Sequence, residues 1–222
     1  MPHFSFDDLE FRLATPDDFD AVVDFTNNVF LDHEPLSKAM NLSREDGNAI
    51  FGWIVKESLK FPYTVLVFHK PTGDLVGHRV TGVWFRRDED NNFGPTPKFS
   101  ERCERVAAML DVMKKSFWHL CPSEVNGVLR RELSCVRKDF QRRGIANRMA
   151  DEFIDEAELK AKGIGGIVSE TSSIANQNLL AKKGFKALKE IEYGALAEDG
   201  TRMVANECHD GTTKLILNFK KF

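Results

Sequence analysis

The chain has no run approaching about 18 consecutive apolar residues, the length a membrane-spanning helix needs, so a membrane partner is not expected. Its first residues, MPHFSFDDLEF, are acidic and lack the apolar core of a secretory signal. There is no excess of positive charge: 31 Lys and Arg stand against 34 Asp and Glu, a net charge of −3. Nucleic acid is therefore disfavoured as the main partner, because phosphate binding needs a basic face. Cysteine is scarce, with four residues and no C-x-x-C pair. Cys103, Cys121, Cys135 and Cys208 read as reduced thiols of a cytoplasmic protein, not as a zinc site or a disulfide frame. The histidines show no metal-ligand spacing, and no metal is expected. Tyrosine is rarer still, with Tyr63 and Tyr193 alone, which limits the phenolic acids open to catalysis.

What is present is the composition of a packed globular protein, 42% hydrophobic and 29% charged over 222 residues. No repeat, low-complexity tract or linker divides it, so residues 1–222 are read as one domain. Glu10–Ala14 is an opening strand. Thr15-Pro16-Asp17-Asp18 then starts a helix with a hydroxyl cap, an early proline and an acid. Its apolar face is Phe19, Val22, Val23, Thr26, Val29 and Phe30, and Pro35 stops it. Ser43 caps a second helix with the stripe Ile50, Phe51, Ile54, Val55 and Leu59. Tyr63–His69 and Leu75–Phe85 flank a Pro-Thr-Gly-Asp turn and form an antiparallel hairpin. Residues 86–97 are a polar loop. Lys98–Phe117 is helical, with Val106, Leu110, Met113 and Phe117 aligned. Short strands are expected at Ile164–Ser169, Phe185–Tyr193 and Thr213–Phe219, with a helix from Ile174 to Lys183 that Ser172 or Ser173 caps. Glu198–Gly211 is polar and loop-like.

The chain is organised around Leu129–Phe153, a strand at Arg130–Val136, a basic turn, and a helix. Ile145, Met149, Phe153 and Ala157 give that helix one apolar face, and Gly163 stops it. A helix start offers unpaired N–H groups and the positive end of the dipole. Gly144 and Ala146 let an anion approach the backbone, and Arg142 and Arg143 add charge. The turn therefore reads as a pyrophosphate cradle. It is not a phosphate P-loop, because no Lys-Ser or Lys-Thr follows Gly144, and it is not a G-x-G-x-x-G dinucleotide turn.

Val136 followed by Gln141-x-x-Gly144-x-Ala146 resembles the acetyl-CoA signature of the Gcn5-related N-acetyltransferase (GNAT) superfamily, Q/R-x-x-G-x-G/A after a hydrophobic strand. The element order, covering nearly the whole chain, is similar to that fold, an α/β (α+β) mixed sheet with two splayed parallel strands flanked by helices. Lys182-Lys183-Gly184-Phe185 is a further family-like feature. The resemblance implies that Ser134, Cys135 and Val136 present a backbone edge to the pantetheine arm. It also implies that Gln141, Arg142, Arg143, Gly144, Ile145 and Ala146 hold the pyrophosphate. Cys135 as an acyl-carrying nucleophile would need a neighbouring base, and the sequence shows none.

Phe30 and Glu34-Pro35-Leu36 resemble the F…EPL motif of the insect dopamine-type arylalkylamine N-acetyltransferases, whose glutamate is the general base. Glu34 is then expected to take a proton from the acceptor amine, with a cap or a solvated loop carboxylate as the plain alternative. The tyrosine acid of many relatives falls here on Leu180, so it is absent. Ser172 matches one of the serines that the dopamine-type enzymes carry at the next helix start. It is expected to donate a proton or simply to cap that helix. Asn176 stands at the second serine position and is expected near the cofactor. The reading is an acetyl-CoA-dependent N-acetyltransferase acting on dopamine, tyramine, octopamine, serotonin or tryptamine by direct attack in a ternary complex. Polyamines, amino acids, a longer acyl-CoA, a lysine peptide, or a non-catalytic acyl-CoA-binding module are the alternatives. The oligomeric state and the role of residues 86–97 as a lid are left open.

Overall fold

Side-chain caps mark where helices begin in the computed structural model, which describes residues 5–195 and 208–222. Ser43 accepts from the Asp46 N–H while Asp46 accepts from the Ser43 N–H, a reciprocal cap that starts α3 (Arg44–Ser58). Ser100 opens α4 (Glu101–Leu120) by accepting from the Cys103 N–H. Ser173, not Ser172, caps α7 (Ile174–Lys182). The first helix is less regular than its spacing predicts. A single 3₁₀ turn, Pro16–Asp18, leads into α1 (Phe19–Phe25), and the chain then widens into a π-turn at Thr26–Phe30. A short helix that the sequence reading missed, α2 (Pro35–Ala39), follows directly.

Among the described residues one sheet of seven strands forms: β1 (Leu9–Leu13), β2 (Val65–His69), β3 (Asp74–Phe85), β4 (Gly127–Val136), β5 (Ile164–Thr171), β6 (Lys186–Glu192) and β7 (Lys214–Lys221). Their order is β1-β2-β3-β4-β5-β7-β6, and every neighbouring pair is antiparallel except β4 with β5. Residues 196–207, most of the expected Glu198–Gly211 loop, lie outside the described residues. The expected loop at 86–97 is held against the end of α3, where the Gly94 N–H donates to Glu57 at 2.8 Å and Lys60 donates to the Asn92 carbonyl at 2.7 Å.

Alternation along the strands divides the core between the two faces of the sheet. One face packs α1, α3 and α4 through Val22, Phe51, Val55, Met109, Met113 and Phe117 against Leu66, Val80, Leu133 and Val168. The other packs α5 (Ile145–Met149) through Ile145 and Met149 against Val65, Val67, Val76 and Val136. The helix after the basic turn is broken, contrary to the single helix its apolar spacing predicts. It stops at Met149 and resumes as α6 (Glu156–Ala161), capped by Asp155. Phe153, expected on the buried face, has a positive φ of 57° and is 45% exposed, and Ala157 is exposed too. The cause is Arg79 of β3. Its buried guanidinium donates to the carbonyls of Met149 (2.6 Å), Ala150 (3.0 Å) and Glu152 (3.1 Å). These bonds satisfy the carbonyls that a helix end leaves open and fix the turn there.

Candidate functional site

Strands β4 and β5 run together from Gly127 and Ile164 to Arg130 and Val168, and there the ladder ends. The last tie is the Ser169 hydroxyl, which donates to the Arg131 carbonyl at 3.0 Å. Beyond it, β4 keeps β3 on its other edge and β5 keeps β7, so the two inner edges face a gap. That gap is the floor of a cavity of about 840 Å³. Its walls come from the 138–147 turn, the start of α7, the 209–210 segment and the stretch from Val29 to Pro35.

The sequence-derived site residues converge on this cavity. Glu34, Ser134, Cys135, Val136, Gln141, Arg142, Gly144, Ile145, Ala146, Ser172 and Asn176 all line it; Arg143 does not. The Arg143 guanidinium lies 5.6 Å from the centre of the Phe140 ring. The Gln141 side chain donates to the Val136 carbonyl at 2.8 Å, which ties the turn back to the end of β4. Gly144 caps α5 at a φ of 85°, where a side chain is strained. The backbone N–H groups of Ile145, Ala146 and Asn147 find no acceptor among the described residues. Open backbone donors, a glycine entry and the cation of Arg142 fit a diphosphate, and the open strand edges fit an amide-rich arm. The residues present therefore suit coenzyme A.

Another wall of the cavity carries Glu34, which is 8% exposed. Its carboxylate caps α2, accepting from the N–H groups of Leu36 at 3.0 Å and Ser37 at 2.5 Å. The plain alternative of a capping carboxylate is thus realised, and the same group lines the cavity. Ser172 caps nothing; its hydroxyl has no hydrogen-bond partner among the described residues, while its carbonyl accepts from the Tyr193 hydroxyl at 3.0 Å. Burial, with Glu34 repelling the charged form, pushes the Tyr193 phenol well above its ordinary pKa. Asp210 accepts from the Ile174 N–H at 3.1 Å and so docks the 208–213 segment on the start of α7.

Two lining features were not legible in the sequence. Glu132 and Glu170 line the cavity, and Glu132 pairs with Arg130 at 3.0 Å. Burial pushes Glu132 up despite the pull of Arg130 and Lys114, and burial lowers Lys114. Arg131 lines the cavity as well. It lies opposite Thr81 in the β3–β4 register, and Arg79 reaches that same Thr81 hydroxyl at 3.3 Å, so both guanidiniums occupy the α5 face. For Glu132 and Arg131 the strand signal gave no warning, because the β3–β4 register shifts at Val80/Thr81 and skips Glu132.

The structure also places beside Cys135 the base that the sequence could not supply, since its Sγ lies 3.6 Å from His78 Nε2. The pair is not poised for nucleophilic chemistry. The Thr26 hydroxyl donates to the Val22 carbonyl at 2.7 Å, so toward His78 Nε2, at 2.9 Å, it accepts. His78 therefore carries its proton on Nε2 and presents no lone pair to the thiol. Burial lowers His78 to about 4 and pushes the Cys135 thiol far above its ordinary value.

No family model matches the chain, and no curated protein sequence matches it. Solved structures do. Arylalkylamine N-acetyltransferase 2 from Aedes aegypti is 19% identical, with a TM-score of 0.80 over 96% of this chain and 98% of that one. A polyamine N-acetyltransferase of Drosophila melanogaster that forms N-acetylagmatine is 13% identical, with a TM-score of 0.76 over 97% of this chain and 100% of that one. The C-terminal condensation domain of Ebony, solved with beta-alanyl-dopamine, is 16% identical, with a TM-score of 0.73 over 96% and 99%. At these identities the likeness assigns the fold, a mixed sheet flanked by helices in the GNAT arrangement, and it resembles the insect arylalkylamine enzymes in shape.

Proposed function

We propose that this chain, which carries the GNAT fold, is an acetyl-CoA-dependent N-acetyltransferase working as a single domain over residues 1–222. Its acceptor is the primary amine of a small arylalkylamine of the dopamine, tyramine, octopamine, serotonin or tryptamine type. One observation carries the reading: a single cavity joins the diphosphate cradle, the open β4 edge and a buried carboxylate, Glu34. Phe30, which also lines the cavity and packs on Phe51, offers an apolar wall to an aryl group.

In this reading the backbone of Ser134–Val136 aligns the pantetheine arm, and the turn at 141–146 holds the diphosphate. An alkylammonium, with a pKa of about 10, must lose a proton before it attacks. Glu34, directly or through water, takes that proton. The amine then attacks the thioester carbonyl, and a β4 N–H at or near Val136 stabilises the oxyanion. The thiolate leaves and is protonated, with the Ser172 hydroxyl at hand in the same cavity. Neither a metal nor a covalent acyl-enzyme enters these steps. The protein is read as cytoplasmic, and among its described helices none is long and apolar enough to cross a membrane.

A second reading, a dicationic acceptor such as agmatine or a polyamine, draws on the four carboxylates that line the cavity, Glu34, Glu132, Glu170 and Asp210. The test is CoA release from acetyl-CoA across dopamine, tryptamine, agmatine, spermidine, small amino acids and a lysine peptide. Turnover led by the arylalkylamines supports the first reading, and turnover confined to agmatine or spermidine replaces it with the second. Silence with every amine, while acetyl-CoA still binds, overturns both readings in favour of a different acyl donor, another acceptor or a non-catalytic acyl-CoA-binding module.

A further inference from the structure

Arg131 is the buried cation that the steps above do not use. It is 3% exposed and lines the cavity at the point where β4 and β5 part. Its buried Nε has no acceptor, and no carboxylate pairs with its guanidinium among the described residues. The nearby Arg79 adds to the deficit, because its donors go to neutral carbonyls and the hydroxyl of Thr81, leaving its own charge without an ion pair. Two guanidiniums therefore share the α5 face, and Arg79 disfavours the Arg131 charge beyond what burial does, while Asp151 and Glu152 favour the charge of Arg79 itself. A buried charge with no counter-charge is costly, and a cation that opens on a cavity can be satisfied by a ligand from that cavity.

The position of Arg131 selects the part of the ligand it meets. The diphosphate end of the cavity is the turn at 141–146. From there the open β4 edge runs inward through Val136, Cys135 and Ser134 to Arg131. That is three residues past Ser134, or about 10 Å along the strand. An arm that enters at the diphosphate and lies along this edge passes Val136 and brings its thioester toward Ser134 and its acyl chain toward Arg131. Ser134 is the near neighbour of Val136, whose stretch of β4 faces the reacting carbonyl in the steps above. A neutral acyl chain leaves the guanidinium bare. A carboxylate at the end of the chain meets it with the planar geometry that favours paired N–H···O contacts.

We propose that Arg131 is an acyl-donor specificity residue, and that the preferred thioester is the CoA ester of a short dicarboxylic acid, of the succinyl or glutaryl kind, bound with its free carboxylate on the Arg131 guanidinium. The proposal rests on the acyl-transfer reading of the cavity and puts a dicarboxylic acyl donor ahead of the acetyl donor named there. The transfer is otherwise unchanged. The amine nitrogen bonds to the thioester carbonyl carbon, the C–S bond breaks, and CoA leaves as the thiolate. The thiolate gains a proton in exchange for the one the amine gives up. The distal carboxylate passes intact into the amide product.

Calorimetric titration of the full chain with succinyl-CoA and with butyryl-CoA, in the absence of amine, tests this apart from catalysis. The two thioesters share chain length and differ in the terminal carboxylate. Succinyl-CoA is expected to bind at least tenfold more tightly. Arg131→Met removes that ratio and Arg131→Lys keeps part of it. Equal affinities in the native chain, which needs no variant to fold, overturn the proposal, and so does a preference that survives Arg131→Met. A tenfold preference in binding with no CoA release from any amine upholds the acyl site while removing the transferase reading. Failure of both thioesters to bind overturns the two together.

Discussion

The Glu34 carboxylate accepts the backbone N–H of Ser37 at 2.5 Å, so the residue assigned to take a proton from the amine also holds the first turn of α2 in place. The cap explains why a buried carboxylate, with Leu36 N–H as its second donor, stands at a fixed position on the cavity wall. It also ties this wall of the cavity to the fold, because Tyr193 and Ser172 lie in the same neighbourhood. Glu34→Ala should therefore lower the unfolding free energy by about 1 kcal/mol, the ordinary effect of losing an N-cap. Urea unfolding followed by far-UV circular dichroism measures it. An unchanged midpoint would show that the cap does not stabilise α2.

Arg79 holds the end of α5 from a strand some seventy residues away in sequence, with the Met149 and Ala150 carbonyls as partners. Arg79→Met leaves several carbonyls without donors in a buried turn, each worth about 1–3 kcal/mol. The expected loss of stability is about 3 kcal/mol. Affinity for CoA should fall with it, since α5 begins at the cradle. Denaturant unfolding together with CoA titration checks both. A full loss of stability with native CoA affinity would separate the cradle from the helix it opens.

His78 is held neutral by burial, at about 4 against 6.5 for the unfolded chain. Below 6.5 the unfolded state binds a proton that the folded state refuses, so stability is complete above that pH and falls as pH drops toward 4. A displacement of that size corresponds to about 3 kcal/mol across the window. The window is distinctive, not the sign: the carboxylate of Asp18, lowered to about 2 by Arg12, also loses its contribution as pH falls, but only at more acid pH. Unfolding free energies between pH 7 and 4.5 should slope in the native chain and flatten in His78→Gln. An equal slope in both would assign the dependence to other groups.

The tautomer of His78 and the raised Cys135 thiol leave no thiolate to carry an acyl group. Incubation with acetyl-CoA in the absence of amine should leave the intact mass of the protein unchanged. An acetyl adduct localised to Cys135 by peptide mass spectrometry would contradict direct attack and replace it with a covalent route.

Much of the sheet was legible because alternation, turn residues and helix caps are local signals. The hairpin at Val65–Phe85 and the caps Ser43 and Ser173 follow from residues within a few positions of one another, whereas the parting of β4 and β5 was expected only from the family resemblance. The turn from Gln141 to Ala146 was legible for the same reason as the hairpin and caps, since its residues are neighbours in sequence. What escaped were consequences of distant partners. The break after Met149 depends on Arg79, the charge state of Cys135 depends on His78 and Thr26, and the exposure of Arg131 to the cavity depends on where β5 leaves β4. The short α2 was hidden for a different reason: its five residues are too few to show a period.

The most direct measurement is the turnover of Glu34→Gln with acetyl-CoA and tryptamine, alongside its equilibrium affinity for acetyl-CoA. The amide keeps an acceptor oxygen for the α2 cap and removes the base. The account predicts a fall in kcat of about 10²–10⁴, the usual contribution of a general base, with acetyl-CoA affinity unchanged. A kcat within about twofold of the native chain, well inside that range, would contradict the assignment of Glu34 as the group that takes the amine proton.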